Sequence, residues 1–328
     1  MSATARKIFQ ALCTRMRLPV IAAPMFLVSG PDLVQAVRLA GVMGSFPFPN
    51  ARDIETLDKW LKQLCAPDDA EGRPLAPLAV NMITHSSYDR LAAEVELISR
   101  HKPEIVITAL GGPKPVIDPV HKYGGLVFAD VNSVPFARKA VSAGADGLVL
   151  VGAGAGGHTG HMAGFAFVSA VREFFDGPIV LGGGISNGHA IRAAEVLGAD
   201  LAYMGTSFIA AEESLASDAY RKAVLDGQFE DLVLSNALTG AHAYYLKSSL
   251  IAMGLDPEHL DKRDGGPDFK QSQNQIKAWR DVWSAGHGVG LIKALKPAAQ
   301  IIGDLEVEYR RAAAIAPFAS QWGQGRST

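Results

Sequence analysis

A chain of 328 residues, 48% hydrophobic and 20% charged, holds enough apolar material for a sizeable core, which excludes wholesale disorder. A formal net charge of −2 with no Lys/Arg-rich run excludes the positive field that nucleic acid or an anionic membrane would need. No apolar stretch approaches the roughly 20 residues that span a bilayer, and "MSATARKIFQALCTRMRLP" scatters its charges instead of forming a signal-peptide h-region, so a soluble cytoplasmic protein is expected.

Along the chain, short β-rich runs alternate with helical patterns. Strands are predicted at Leu18–Ala22, Val42–Phe46, Leu78–Asn81, Ile105–Thr108, Leu126–Ala129, Gly147–Val151, Pro178–Leu181 and Leu201–Met204. Helical apolar spacing fills Pro31–Ala40, Asp53–Cys65, Tyr88–His101, Val134–Ala143 and Gly188–Leu197. Several strands are apolar on both faces, as a parallel sheet under helices requires. "AGADGL" (Ala143–Leu148) and "LGADLA" (Leu197–Ala202) are near-duplicates, each closing a helix with glycine before the next strand. The expected fold is α/β, a (β/α)8 TIM barrel over residues 1–225, although an open doubly wound sheet could alternate in the same way. From Asp226 the alternation stops. Residues 226–295 are expected to form a mostly helical lid with a polar loop at Asp261–Gly266, and 296–328 a terminal segment whose helix, Ala298–Ile315, returns to the barrel.

In such a barrel, chemistry sits at the C-terminal strand ends, and phosphate binds after the last two strands. There the chain has Gly182-Gly183-Gly184, then Ser186 or Asn187 as a cap for a helix opening at Gly188, and then Gly205-Thr206. Glycine backbone and a helix N-terminus make a phosphate cradle; a merely tight βα turn is the plainer alternative.

"GLVLVGAGAGGHTGHMAG" (Gly147–Gly164) satisfies the letter of G-x-G-x-x-G. A dinucleotide fingerprint, however, needs an immediate helix and an acid about 20 residues on. Gly160 and Gly164 oppose the helix, and the next strand ends in "VLGGG" without an acid. The loop instead offers close backbone approach to a flat ligand and one imidazole, His158, the residue best suited to a general base near neutrality. His161 completes an H-x-x-H pair, but without an acid or cysteine neighbour no metal is assigned. No predicted strand end carries a Schiff-base lysine, a nucleophilic cysteine or paired carboxylates: Cys13 precedes the first strand, Cys65 lies in a helical pattern, and Asp130 stands alone. The hard chemistry is therefore expected of a cofactor, and a phosphate-bearing flavin fits the cradle.

Taken in order, "AAPM" after the first strand, "VN" ending the third, "AGAGGHTG", "LGGGI", "YMGTSFIA" and "WRDVWSAGHGVGLI" resemble the nitronate monooxygenase family, formerly 2-nitropropane dioxygenases, from about Leu18 to Ile292. The resemblance implies FMN on the barrel. Ala23, Pro24 and Met25 would lie along the flavin, Asn81 at its polar edge, and Gly156 and Gly157 beside it. Gly183, Gly184, Gly205 and Thr206 would bind the phosphate, and Ser284, in the lid's Ser-Ala-Gly segment, would face the flavin. His158 would be the catalytic histidine, removing the α-proton of nitroalkanes; alkyl nitronates would be oxidised with O2 to carbonyl compounds and nitrite by way of a flavin semiquinone. The implied partners are a small nitro or nitronate compound and O2, with a homodimer left open as the assembly.

This chain departs from some relatives by carrying Asp130 where they have a lysine near the flavin: either Asp130 points away or the redox poise differs. "MGT" also replaces a Gln-Gly-Thr form. The rival readings are an FMN-dependent enoyl-acyl carrier protein reductase, which shares the barrel and the G-G-H loop, and a flavin-binding protein without turnover. Tyr244, Tyr245, Trp279, Trp283 and His287 are expected to pack between lid and barrel.

Overall fold

A computed structural model describes residues 2–260 and 279–316. The barrel is built from β1 (Val20–Ala22), β2 (Gly44–Pro47), β3 (Leu78–Ile83), β4 (Ile105–Ala109), β5 (Leu126–Val131) and β6 (Gly147–Val151), and it continues through β8 (Ile179–Gly182) and β9 (Leu201–Met204). Between β6 and β8 lies a two-residue strand outside the barrel, β7 (Gly157–His158). The eight barrel strands pair in parallel in the order β1-β9-β8-β6-β5-β4-β3-β2. Closure comes from a parallel bridge between Ile21 and Met43, in which Met43 N–H donates to Val20 O at 3.0 Å and Ala22 N–H to Met43 O at 2.9 Å.

All eight predicted strands are present. The second is displaced toward Pro47, because Val42 and Met43 are spent on leaving the preceding helix and making the closing bridge. Inward-facing Ile21, Ala79, Ile107, Phe128, Val149, Val180 and Leu201 fill the barrel as one packed core. The sequence reading did not foresee its plug. Helix Ala3–Cys13 sets Ala5, Phe9 and Leu12 into that same core from the bottom, with Phe9 6.0 Å from Phe128.

The duplicated "GAD" phrase has a physical cause. Gly144 and Gly198 end their helices at positive φ, a conformation glycine takes without Cβ strain. The following aspartates then each accept the opening N–H of the preceding strand's start: Asp146 Oδ2 from Val127 at 2.9 Å, and Asp200 Oδ2 from Ile179 at 2.7 Å. Each phrase caps a helix and ties two strands at once.

Helix Ala298–Ala313 packs Ala298, Ile302 and Leu305 onto Leu33, Val37, Ile191 and Phe208 of the barrel's helical layer. Its approach to helix Gly188–Leu197 is so close that a Cβ on Gly188 would collide with the Tyr309 backbone. The segment after Asp226 corrects the mostly helical expectation. Among the described residues of 226–295 it holds an antiparallel pair, β10 (Leu232–Ser235) and β11 (Ala243–Leu246), with only the short helix Lys247–Ala252 and two single 3-10 turns. "LVLS" and "AYYL" carry the β-branched and aromatic residues that suit a pleated surface. The polar loop expected at Asp261–Gly266 lies outside the described residues.

Candidate active site

The glycine loop leaves the barrel and joins the cover. Gly157 and His158 pair antiparallel with Tyr244 and Ala243, making β7 the third strand of a β10-β11-β7 sheet. That pairing fixes His158 at the seam between barrel and cover. Its Nε2 lies 3.1 Å from Thr239 Oγ1, and its ring meets Trp279 edge-on at 5.4 Å. Burial lowers the His158 pKa, because the imidazolium would lose water and gains no carboxylate in exchange.

The second half of the latch is the Ser284–His287 segment. Ser284 Oγ accepts the Gly157 N–H at 2.6 Å and donates to Tyr244 O at 2.5 Å, while Tyr220 Oη donates to Ser284 O at 2.5 Å. Gly286 N–H reaches Thr206 Oγ1 at 2.9 Å, and His287 N–H reaches Gly154 O at 3.0 Å. Gly156 admits this contact by lacking a side chain: a Cβ there would come within 2.8 Å of Gly286 N. The Ser284 hydroxyl, expected to face the flavin, spends its hydrogen and one lone pair on protein partners. Of the aromatic packing expected between lid and barrel, only the Trp283–Tyr220 stack among the following contacts reaches outside residues 226–295; the others lie within the cover. Trp283 stacks on Tyr220 at 5.4 Å, Trp279 on Tyr245 at 5.6 Å, and His287 sits against both Tyr244 and Phe229.

At the ends of β8 and β9, Gly183 and Gly184 both adopt positive φ. Gly184 faces open space, with nothing within 4 Å of a built Cβ, whereas a Cβ on Gly183 would press on Ala153 O. Gly205 leads into the short helix Thr206–Ile209, and its α-carbon face lies against Met25. One part of the expected cradle is otherwise engaged. Asn187 caps helix Gly188–Leu197 by accepting from Ala190 N–H at 2.8 Å, as anticipated, but the Gly188 N–H is taken by the Glu308 carboxylate at 2.8 Å. A carboxylate already balances that helix N-terminus, so a phosphate would have to use Gly183, Gly184, Gly205 and the first turn at Thr206.

After β1, Ala23 N–H continues the ladder to Met204 O at 2.8 Å. Pro24 and Met25 open a turn that Asn50 holds by donating to Met25 O and Ser29 O and accepting from Leu27 N–H, with Leu27 forced to φ +63. Asn81, two residues before the end of β3, donates from Nδ2 to Asp130 Oδ2 at 3.2 Å. Asp130 does not point away. It lies at the mouth end of β5, its Oδ1 buried without a partner, and burial pushes its carboxyl up to about 7. The Tyr203 hydroxyl is likewise buried and unpartnered, its phenol raised first by burial and then by Asp130. Sequence reading missed Thr239, Tyr203 and the Trp279 contact; a lone threonine in a loop and a tyrosine within an apolar strand carry no pattern.

These features fit a flat, phosphate-bearing ligand. Gly184 faces open space, the Ser284–His287 segment packs on Gly154, Gly156 and Gly157, and the barrel mouth presents two buried polar atoms with no protein partner, Asp130 Oδ1 and the Tyr203 hydroxyl. The other chemistries are poorly supported. Burial raises the Cys13 and Cys65 thiols to about 11 and 12, which leaves them inert. His161 meets only the exposed His242 ring, at 4.7 Å, and no metal-binding cluster of three His, Cys, Asp or Glu occurs among the described residues. No described helix is long and apolar enough to cross a membrane.

The family model described as nitronate monooxygenase matches residues 9–306. The chain belongs to the nitronate monooxygenase family. It is thus an oxidoreductase, and its relatives agree along most of their length. A nitronate monooxygenase of Paraburkholderia phytofirmans is 28% identical, with 89% of this chain and 92% of that protein covered. One from Neurospora crassa is 29% identical over 88% of each. Solved structures share the fold. FabK from Thermotoga maritima superposes with a TM-score of 0.74 at 24% identity, covering 96% of this chain and 97% of that one. A nitroalkane oxidase from Streptomyces ansochromogenes superposes with a TM-score of 0.73, also at 24% identity, over 92% and 99%. At that identity the likeness concerns the fold alone, and the two neighbours superpose almost equally well.

Proposed function

We propose that this chain is an FMN-dependent nitronate monooxygenase, oxidising alkyl nitronates, and nitroalkanes after deprotonation by His158, with O2 to carbonyl compounds and nitrite. The observation that carries this reading is a half-buried histidine, its pKa lowered by burial, at the seam of the glycine loop and the cover, with an open Gly184 available to a flavin phosphate. Ala23, Pro24, Met25, Asn81, Gly156 and Gly157 would line the ring, while Gly183, Gly184, Gly205 and Thr206 would hold the phosphate. Bound flavin would supply the electron acceptor and the O2 reactivity that no side chain here offers.

The protein's own part is to hold the substrate, exclude water and move a proton. Thr239 Oγ1 donates its hydrogen to Ala241 O at 3.0 Å, so toward His158 it can only accept. Nε2 therefore carries the ring hydrogen, and Nδ1 keeps the lone pair that removes an α-proton. The lowered pKa keeps that lone pair free at neutral pH. A nitronate is already deprotonated and needs no such step.

His158→Asn tests the reading. The variant should keep its flavin absorbance and its nitronate oxidation while nitroalkane oxidation falls by roughly 10²–10⁴-fold. Persistence of nitroalkane turnover would remove His158 as the base; a colourless wild-type protein would remove the flavin. Rapid NADH or NADPH consumption with a crotonyl thioester in the absence of O2 would favour the enoyl reductase instead.

A further inference from the structure

The top inward layer of the barrel holds three polar side chains beside one apolar residue and one glycine. Following the alternation of each strand, it comprises Asn81 of β3, Asp130 of β5, Val151 of β6, Gly182 of β8 and Tyr203 of β9. Only one of these groups ionises in the ordinary range of proteins, and nothing neutralises it. Asn81 gives Asp130 a single hydrogen bond to Oδ2, Oδ1 is buried without a partner, and the facing titratable group is the Tyr203 phenol, which is neutral. Below this layer β4 and β6 contribute Ile107 and Val149, both fully buried and apolar. Among the described residues no cation contributes to its ionisation. A carboxyl so placed is poised between its two protonation states near neutrality, since burial lifts it to about 7. Negative charge arriving next to it shifts that balance toward the acid.

We propose that Asp130 is a redox-linked proton site: it binds one proton when negative charge enters the ligand over this layer and releases it when that charge leaves. The inference rests on the flavin reading above. When a bound flavin accepts an electron from substrate, the Asp130 carboxylate would take a proton from solvent, forming an O–H bond. When O2 removes that electron, the O–H bond would break and the proton would return to solvent. No substrate bond is made or broken at Asp130. Its effect is to cancel charge, so that the acid donates a hydrogen bond upward where an aspartate anion would repel. On this account the group that would meet a reduced cofactor is neutral.

Two measurements test this with Asp130→Asn, a near-isosteric change that cannot titrate. In the flavin-free protein, infrared difference spectra across pH 5–9 should show a protonated-carboxyl band that disappears on titration near 7 and is missing from the variant. Glu94, the other buried carboxyl raised to about 7, is common to both proteins and cancels in the comparison. In the flavin-loaded protein, anaerobic photoreduction at pH 8 in weak buffer with an indicator dye should take up about one more proton per flavin in wild type than in the variant. A wild-type band already gone by pH 5.5, or equal uptake by both proteins, overturns the proposal. A protein that binds no flavin overturns the flavin reading and the redox coupling together, while the infrared titration still reads the carboxyl.

Discussion

Two residues of the candidate site have opposite pKa displacements. His158 is pushed down by burial and is a free base at neutral pH, whereas Asp130 is pushed up and is partly an acid. For nitroalkanes the consequence is a rate that rises with pH and levels off below the usual histidine value of 6.5, because only the uncharged ring accepts a proton. A pH–kcat/KM profile that levels off above 7 would contradict this. Nitronate oxidation should lack that limb. Thr239→Val removes the acceptor that holds Nε2–H, leaves the ring free to change tautomer, and should cost nitroalkane turnover about tenfold while sparing flavin binding, on the scale of an oriented hydrogen bond worth roughly 1–1.5 kcal/mol. Nitrogen-15 spectra of the His158 ring would show the mixed tautomers directly. Lysine at position 130 places a fixed cation where the neutral acid stood, and Asp130→Lys should raise the flavin potential; an unchanged potential would mean that Asp130 does not face the ring.

Among the elements, the latch and the terminal helix matter most. Ser284→Ala leaves the Gly157 N–H without its acceptor and Tyr244 O without its donor, at a cost of about 1–3 kcal/mol for the buried group. Faster amide hydrogen exchange at Gly157 than in wild type would register the loss; equal rates would mean the cover is held elsewhere. Gly188→Ala drives a methyl into the Tyr309 backbone and should lower stability by about 1–3 kcal/mol, the usual cost of overpacking. The barrel strands were legible because each is a short apolar run bounded by glycine or proline, and the period of the chain repeats them eight times. The cover was not. β10 and β11 are four residues each, too short to show alternation, and their third partner comes from a loop some eighty positions earlier. The glycine loop was rightly separated from a dinucleotide fingerprint, but glycine spacing carries no sign that Gly157 and His158 become a strand. Likewise Asn187 is recognisable as a cap, whereas the Glu308 carboxylate at the same helix end comes from 120 residues away.

For the molecule as a whole, the buried acids set a direction for stability against pH. Glu94 is sealed inside the barrel's helical layer, raised to about 7 by burial that the Tyr88 hydrogen bond and the Arg90 charge only partly offset. In the unfolded chain it titrates near 4.5. A folded pKa above the unfolded one means that stability is fully present below the unfolded value and is lost as pH rises through the folded value. Glu94→Gln cannot lose a proton, so its Tm relative to wild type should climb between pH 4.5 and about 7 and then flatten. A difference independent of pH would mean that Glu94 ionises normally.

The pairing of Gly157 and His158 with the cover has a consequence for the chemistry. On the proposed reading the base would be a residue of the roof as much as of the barrel, oriented by Thr239 and Trp279 of that same roof. Shielding from water and readiness to react would then rest on the same contacts, and a carbanion would form where the cover excludes solvent.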